Sequence, residues 1–167
     1  MMEKKFKAGV LTISNKASQG KRIDESGEVA VRMLEEEGLS ILRKEIIPDN
    51  QQQIVDTLEE WVDSGDDLSL IITSGGTGLS PDDVTPQAME KVIDYQVPGM
   101  SEAMRAASQK KTVHAMLSRS MAGVRGSCLI INLPGSPGGV KDNLSVVLPA
   151  LKHALSKLGG DTSDCAI

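Results

Sequence analysis

A glycine-rich loop is the part of the sequence best suited to bind phosphate. Residues 75–78 read Gly-Gly-Thr-Gly and closely follow an apolar run at residues 68–73. Because glycine has no side chain, its backbone N–H groups can approach phosphate oxygens closely. A plain tight turn uses glycine in the same way, so both interpretations stay open from this loop alone. Two familiar phosphate fingerprints do not fit, since Arg22 breaks the P-loop pattern and Pro81 takes the last glycine position of a dinucleotide motif.

Acidic residues near the loop could hold a metal ion. Asp82 and Asp83 follow the loop, and Asp49 follows another predicted strand. Carboxylates beside a phosphate cradle suit a Mg²⁺-dependent nucleotide site, because the metal offsets the repulsion between carboxylate and phosphate. The same aspartates could instead cap helices or stabilise turns, where side-chain oxygens accept hydrogen bonds from free N–H groups. The residues alone do not choose between these functions.

A polar segment later in the chain offers a second candidate anion site. Ser118, Arg119 and Ser120 place two hydroxyls beside a guanidinium, a donor set that suits an anionic group. The alternative is a solvated turn. The two histidines, His114 and His153, have no serine or cysteine partner near them in the sequence, so no catalytic triad is predicted.

The elements that must position these motifs alternate between strands and helices. Such alternation predicts an α/β fold, a three-layer αβα domain with a mostly parallel central sheet. Ligands of these sheets bind outside the carboxyl ends of the strands, so the loops that begin at Ser14, Ser74 and Pro134 should meet in one crevice. The predicted strands are residues 7–14, 39–47, 68–73 and 127–133, and the predicted helices are residues 27–37, 51–63, 84–94, 99–110 and 140–158.

Composition and charge exclude several classes of protein. The length fits one domain over residues 1–167, with a core at about 6–158 and a polar tail at 159–167. A net charge of −5 and 2% aromatic residues argue against a nucleic-acid partner, which needs a basic surface or stacking side chains. No apolar run approaches the roughly 20 residues that cross a bilayer, and the N-terminus lacks the apolar stretch of a signal peptide. The two cysteines form neither a disulfide framework nor a zinc site, so we expect a cytoplasmic protein.

The motifs form an ordered series along the chain. They are Leu-Thr-Ile-Ser-Asn at 11–15, Asp-Glu-Ser-Gly at 24–27, Pro-Asp at 48–49, Thr-Ser-Gly-Gly-Thr-Gly at 73–78, Asp-Val-Thr-Pro at 83–86, Pro-Gly at 98–99, Leu-Ser-Arg-Ser at 117–120 and Asn-Leu-Pro-Gly-Ser-Pro at 132–137. In this order they resemble the molybdopterin adenylyltransferase family of the MogA and MoaB type, to which the gephyrin G domain is similar. The resemblance covers residues 6–158, and a series of motifs is far more specific than one glycine loop.

The resemblance implies an enzyme of molybdenum-cofactor biosynthesis. Family members adenylylate molybdopterin, a pterin with a dithiolene and a terminal phosphate, using Mg-ATP and releasing pyrophosphate. It implies that Asp49 and Asp83 are catalytic and hold Mg²⁺, while the Arg119 guanidinium helps to offset the repulsion between the two reacting phosphates. The residues implied to bind nucleotide and phosphate are Ser14, Gly75, Gly76, Thr77, Gly78, Pro134, Gly135 and Ser136, and those implied to bind molybdopterin are Asp24, Ser26, Gly27, Ser118, Arg119 and Ser120.

The resemblance also implies a homotrimer and a downstream molybdenum-insertion protein as partner. One alternative is a non-catalytic molybdopterin-binding or scaffold protein of the same fold. Another is a nucleotide-binding module that is unrelated to pterins. Pyrophosphate release from Mg-ATP and molybdopterin separates the enzyme from the scaffold, and molybdopterin binding without ATP separates both from the third hypothesis.

Overall fold

One central sheet organises the residues that the computed structural model describes, 6–163. Its strand order is β2-β1-β3-β6-β5-β4, and only β5 runs opposite to the others. The mostly parallel sheet predicted from the sequence is therefore confirmed. The strands are β1 (Lys7–Ile13), β2 (Ser40–Ile47), β3 (Leu70–Ser74), β4 (Tyr95–Gln96), β5 (Ala122–Arg125) and β6 (Cys128–Leu133).

Helices cover both faces of the sheet and form the predicted three layers. Helices α2, α5 and α6 share one apolar cluster with the sheet, and α3 and α4 share the other. Strand β3 is buried on both faces, because Leu70 and Ile72 belong to the first cluster and Ile71 to the second. Each such side chain contributes about 1.5–3 kcal/mol when fully buried. The helices are α1 (Asn15–Ser18), α2 (Glu25–Glu36), α3 (Gln51–Asp63), α4 (Thr85–Val92), α5 (Pro98–Gln109) and α6 (Pro137–Leu158), with a 3₁₀ turn at Val113–Leu117.

Several elements differ from the sequence-based prediction. Strands β4 and β5, helix α1 and the 3₁₀ turn were not predicted, and α6 begins at Pro137 instead of residue 140. The earlier start of α6 follows from its cap, since Ser136 Oγ accepts a hydrogen bond from the N–H of Gly139. Helix α2 also begins earlier, at Glu25, because Asp24 caps it.

Two predicted features lie at the ends of the chain. Helix α6 ends at Leu158, the predicted end of the core, and residues 159–163 of the predicted tail are exposed. The rest of that tail, residues 164–167 with Cys165, lies outside the described residues, as do residues 1–5. Within residues 6–163, no helix is long and apolar enough to cross a membrane.

Candidate functional site

The loops after β1, β3 and β6 meet at one edge of the sheet, as the sequence predicts. Gly75 has a φ of +105°, and a Cβ there would lie 2.1 Å from the carbonyl oxygen of Ile13. A Cβ on Gly135 would lie 3.2 Å from the Cα of Gly75. The loops after β3 and β6 therefore cross with their backbones in contact, and Gly75 can be occupied only by glycine without a shift of the backbone.

The crossing loops lie between two clefts of different character. The first, which we call the carboxylate cleft, has a volume of about 680 Å³ and is lined by Gly75 and Gly76; the second cleft has a volume of about 380 Å³ and is lined by Thr77 and Gly78. Both volumes lie in the roughly 300–1,000 Å³ range of small-molecule sites. Ser136 lines both clefts, so the two sites meet at that residue. Charged residues of the carboxylate cleft are Arg22, Asp24, Glu25, Asp49 and Asp83, and polar residues of the second cleft include Arg105, Lys111, His114, Ser118 and Asn143.

Asp49 is held in the carboxylate cleft by the start of α1. The N–H of Asn15 donates to Asp49 Oδ2 at 2.8 Å, and the N–H of Asp49 donates to Asn15 Oδ1 at 3.0 Å. Burial raises the pKa of the Asp49 carboxyl, and the charges of Asp83 and Asp82 raise it further against the opposing effect of the Asn15 hydrogen bond. Helix α3 is capped by Asn50, so Asp49 does not cap the helix that follows it; its carboxylate instead accepts from the first residue of α1.

Asp83 is held by its own loop. The N–H of Ser80 donates to Asp83 Oδ2 at 2.9 Å, and a Cβ on Gly78 would lie 2.8 Å from the same oxygen. The N-cap residue of α4 is Val84, which makes no side-chain cap bond, so Asp83 is not a helix cap either. Thr85 then fixes the glycine loop, because its Oγ1 donates to the carbonyl of Gly75 at 2.9 Å. The two predicted catalytic carboxylates thus line one cleft beside the glycine loop.

Asp49 and Asp83 fit a Mg²⁺ ion that arrives with phosphate. Within residues 6–163, no group of three or more His, Cys, Asp or Glu could hold a metal by itself. Mg²⁺ is usually bound by one or two carboxylates together with substrate phosphates and water, without an all-protein cage. A divalent cation would also relieve the repulsion from Asp83 that helps to raise the pKa of Asp49.

The residues predicted to bind molybdopterin fall into separate groups. Asp24 and Ser26 line the carboxylate cleft, whereas Ser118 lines the second cleft. Asp24 also supports the fold, since its two carboxylate oxygens accept from the Thr12 hydroxyl and the Gly27 N–H, both at 2.8 Å. The fold does not place the predicted molybdopterin residues in one cleft.

Ser26 ties helix α2 to the crossing loops. Its side chain is 5% exposed, and its Oγ donates to the carbonyl of Gly135 at 2.7 Å. The start of α2 and the loop after β6 are therefore fixed to each other at the edge of the carboxylate cleft.

Arg119 fastens the glycine loop to the segment that carries Asp83. Its backbone N–H donates to the carbonyl of Thr77 at 2.8 Å, its Nε to that of Gly78 at 2.8 Å and its Nη2 to that of Asp83 at 2.6 Å. Arg119 is not among the residues that line either cleft. Its predicted contact with molybdopterin stays a prediction, and these bonds give it a positioning role that the sequence did not indicate.

Ser118 and Ser120 differ in exposure although they are near neighbours in the sequence. Ser118 Oγ donates to Ser120 Oγ at 2.9 Å, and Ser120 is only 3% exposed. Of this pair, Ser118 is the one that lines the second cleft.

Most of the second cleft was missed by sequence reasoning. Arg105 Nη1 donates to the carbonyl of Ser120 at 2.8 Å, and Lys111 pairs with Asp142 at 2.6 Å. Asn143 is 6% exposed, and its Nδ2 donates to the carbonyl of Gly139 at 2.8 Å. A signal was present in α5, where Arg105 stands between two serines at helical spacing, residues 101 and 108, and so forms a polar stripe.

A family of known proteins matches this chain over most of its length. The family described as a probable molybdopterin-binding domain matches residues 9–153. A molybdopterin adenylyltransferase of Helicobacter pylori is 39% identical over 155 residues, which covers 92% of this chain and 88% of that protein. A gephyrin of Dictyostelium discoideum is 37% identical over 163 residues, which covers 92% of this chain but only 22% of that protein.

Solved structures share the fold at similar identity. The molybdopterin biosynthesis enzyme MoaB from Thermus thermophilus is 44% identical with a TM-score of 0.87, and the match covers 93% of this chain and 98% of that chain. Other relatives are much longer: the chain spans 22%, 49% and 26% of the gephyrin, a bifunctional molybdenum-cofactor protein of Chlorobaculum tepidum and the cinnamon protein of Drosophila melanogaster, respectively.

Proposed function

Because the chain belongs to the family of probable molybdopterin-binding domains, we propose that it is a nucleotidyltransferase of molybdenum-cofactor biosynthesis that adenylylates molybdopterin with Mg-ATP. A phosphate oxygen of molybdopterin forms a bond to the α-phosphorus of ATP, and the bond from that phosphorus to the pyrophosphate leaving group breaks. The observation that carries the proposal is the pair of clefts that meet at Ser136. A transfer between two bound molecules needs two adjoining sites, since proximity and orientation supply much of the rate.

The two clefts divide the substrates in this proposal. The carboxylate cleft takes the nucleotide phosphates, because Asp49 and Asp83 stand there beside Gly75 and Gly76. The second cleft takes the pterin, because it is smaller and offers apolar walls such as Leu117 together with neutral hydrogen-bonding groups. Ser14 lines the carboxylate cleft, and Pro134 and Ser118 line the second.

The chain's own residues position the reacting groups and do not react with them. Phosphoryl-type transfer needs little covalent help, so positioning and charge neutralisation supply most of the catalysis. When bound, Mg²⁺ would neutralise charge on the phosphates, with Asp49 and Asp83 as its protein ligands. Gly75 and Gly76 let the backbone approach the nucleotide. The hydrogen bonds of Arg119 to the carbonyls of Gly78 and Asp83 hold Asp83 in position relative to the glycine loop.

The decisive experiment measures pyrophosphate release. Purified protein with Mg-ATP and molybdopterin should release pyrophosphate and form adenylyl-molybdopterin. Release that fails while molybdopterin still binds would support the alternative, a non-catalytic molybdopterin-binding or scaffold protein. A protein that binds nucleotide but not molybdopterin would support the unrelated nucleotide-binding module.

The proposal also covers the oligomeric state, the cellular location and the partner protein. A homotrimer, a cytoplasmic location and a downstream molybdenum-insertion protein as partner accompany this function in the family resemblance. Exposed apolar residues that a second copy could cover include Val113, Met116 and Leu79, which are 69%, 61% and 65% exposed. Sedimentation equilibrium at micromolar concentration should give the mass of three chains, and a monomer would contradict the trimer.

A further inference from the structure

The carboxylate cleft has too little positive charge for the substrate proposed for it. Its lining includes four carboxylates, those of Asp24, Glu25, Asp49 and Asp83. A nucleoside triphosphate brings further negative charges, and one divalent ion on Asp49 and Asp83 does not balance them. The leaving pyrophosphate gains charge as its bond breaks, so a cation near the phosphates stabilises the transition state.

Arg22 is the one basic side chain that lines this cleft within the described part of the chain. It is exposed, and no hydrogen bond or ion pair engages it within residues 6–163. Its acidic neighbour Asp24 is already occupied, because both carboxylate oxygens accept hydrogen bonds from Thr12 and Gly27. The guanidinium is therefore available to a ligand.

The other arginines near the crossing loops are less available. The Nε and Nη2 atoms of Arg119 donate hydrogen bonds to the carbonyls of Gly78 and Asp83, and Arg119 lines neither cleft. Arg105 lines the second cleft and donates to the carbonyl of Ser120 at 2.8 Å. The neutralising role that the sequence suggested for Arg119 is better matched by Arg22.

We propose that Arg22 binds the polyphosphate of the nucleotide in the carboxylate cleft. The inference rests on the proposed function, since it takes that cleft as the nucleotide site. A guanidinium presents a planar fork of donors that matches phosphate oxygens. Because Arg22 is exposed and has no hydrogen bond or ion pair within residues 6–163, it binds the nucleotide without first breaking a bond inside the protein.

The test compares Arg22→Gln with Arg32→Gln. Arg32 is the matched control, because it is also exposed and lines neither cleft. The Arg32→Gln substitution removes the same charge as Arg22→Gln. Calorimetric titration should show Mg-ATP affinity reduced about tenfold in Arg22→Gln, the scale of one lost hydrogen bond to a charged group, and almost unchanged in Arg32→Gln. Arg22→Lys should recover part of the loss. Molybdopterin affinity should be the same in all variants.

Further titrations locate the contact. AMP and pyrophosphate are used as separate probes, and a loss for pyrophosphate but not for AMP assigns Arg22 to the leaving phosphates, whereas a loss for both assigns it to the α-phosphate as well. Equal Mg-ATP affinities in Arg22→Gln and Arg32→Gln, or a loss confined to molybdopterin, would overturn the inference. Unfolding temperatures should stay close to wild type in both variants, because both side chains are exposed and exposed substitutions usually change stability little.

The test of Arg22 can be told apart from the test of adenylylation. If wild-type protein binds Mg-ATP but releases no pyrophosphate with molybdopterin, adenylylation fails while the titrations still decide the role of Arg22. If wild-type protein binds no Mg-ATP, the inference about Arg22 is overturned as well.

Discussion

The two clefts on either side of Ser136 hold their charges in opposite ways. In the carboxylate cleft, Asp49 and Asp83 are held by backbone N–H groups and form no ion pair within residues 6–163, so their repulsion adds to burial in raising the pKa of Asp49. In the second cleft, Lys111 is paired with Asp142 and Arg105 donates to a backbone carbonyl. The first cleft gains from a cation that comes with the ligand, whereas the second keeps the positive charge of Arg105, whose guanidinium donates to neutral oxygens of Ser101, Ser118 and Ser120.

The largest expected effect comes from removing a charge in the carboxylate cleft. Asp83→Asn should lower the kcat of adenylylation by at least about 100-fold, the scale of one lost electrostatic contact to a transition state, while molybdopterin affinity stays within a few-fold. Single-turnover kinetics and molybdopterin titration provide the two measurements. Near-wild-type turnover in the purified variant would show that the first cleft does not act through this carboxylate.

Arg119→Lys tests the hydrogen bonds that connect the glycine loop to the segment carrying Asp83. A lysine cannot reproduce the planar fork that reaches the carbonyls of Gly78 and Asp83, so kcat should fall about tenfold, a barrier increase of about 1.4 kcal/mol, with little change in either substrate affinity. Arg32→Lys is the control. Hydrogen exchange of residues 77–83 should be faster in Arg119→Lys, which a residue that only binds ligand would not cause. Unchanged kcat with weaker molybdopterin binding would instead support the role predicted from sequence.

Ser118→Ala should have a smaller effect that is confined to the second cleft. One neutral hydrogen bond contributes about 0.5–1.5 kcal/mol, so molybdopterin affinity should fall a few-fold and Mg-ATP affinity should not change. The buried Ser120 keeps its position, since its carbonyl still accepts from Arg105. An equal loss for both ligands would mean that the clefts do not divide the substrates.

The smallest effect concerns stability and pH. The pKa of Asp49 is raised in the folded protein, so between the ordinary aspartate pKa and this raised value the folded state binds more protons than the unfolded state. The free energy of unfolding of wild type should therefore fall relative to Asp49→Asn as pH rises through that window, and the difference should be constant above it. Urea denaturation from pH 3 to pH 7 measures it. A wild type that gains stability relative to the variant over this window would contradict the raised pKa that burial and the neighbouring carboxylates give Asp49.

The contrast between the clefts also shows which features the sequence could reveal. The carboxylate cleft is built from contiguous motifs at strand ends, and their convergence follows from a parallel sheet. The second cleft depends on α5, α6 and the 3₁₀ turn, whose polar residues are scattered among helix positions. Arg105 and Asn143 look like ordinary helix residues until packing places them together, so only the three-dimensional fold reveals them.

Individual strands and helix caps also differ in how well the sequence predicts them. Strands β1, β3 and β6 were predicted because long apolar runs mark buried parallel strands. Strand β5 was missed although Gly126 and Ser127 separate it from β6, and Gly-Ser between two apolar runs is a hairpin signal. The cap interpretation of Asp49 and Asp83 could not be settled in advance, because the neighbouring Asn50 and Val84 occupy the cap positions and only tertiary contacts determine which residue does so.

The backbone contact between Gly75 and Gly135 joins two loops that each contribute residues to both clefts. A Cβ on Gly135 would lie 3.2 Å from the Cα of Gly75, and the Gly75 N–H donates to the carbonyl of Leu133 at 3.0 Å, so a shift of one loop disturbs its contacts with the other. We therefore expect occupancy of one cleft to change the affinity of the other, and thermodynamic linkage requires the factor to be the same whichever ligand binds first. The contact of these two glycines thus predicts that either substrate, once bound, changes the Kd of the other by one shared factor.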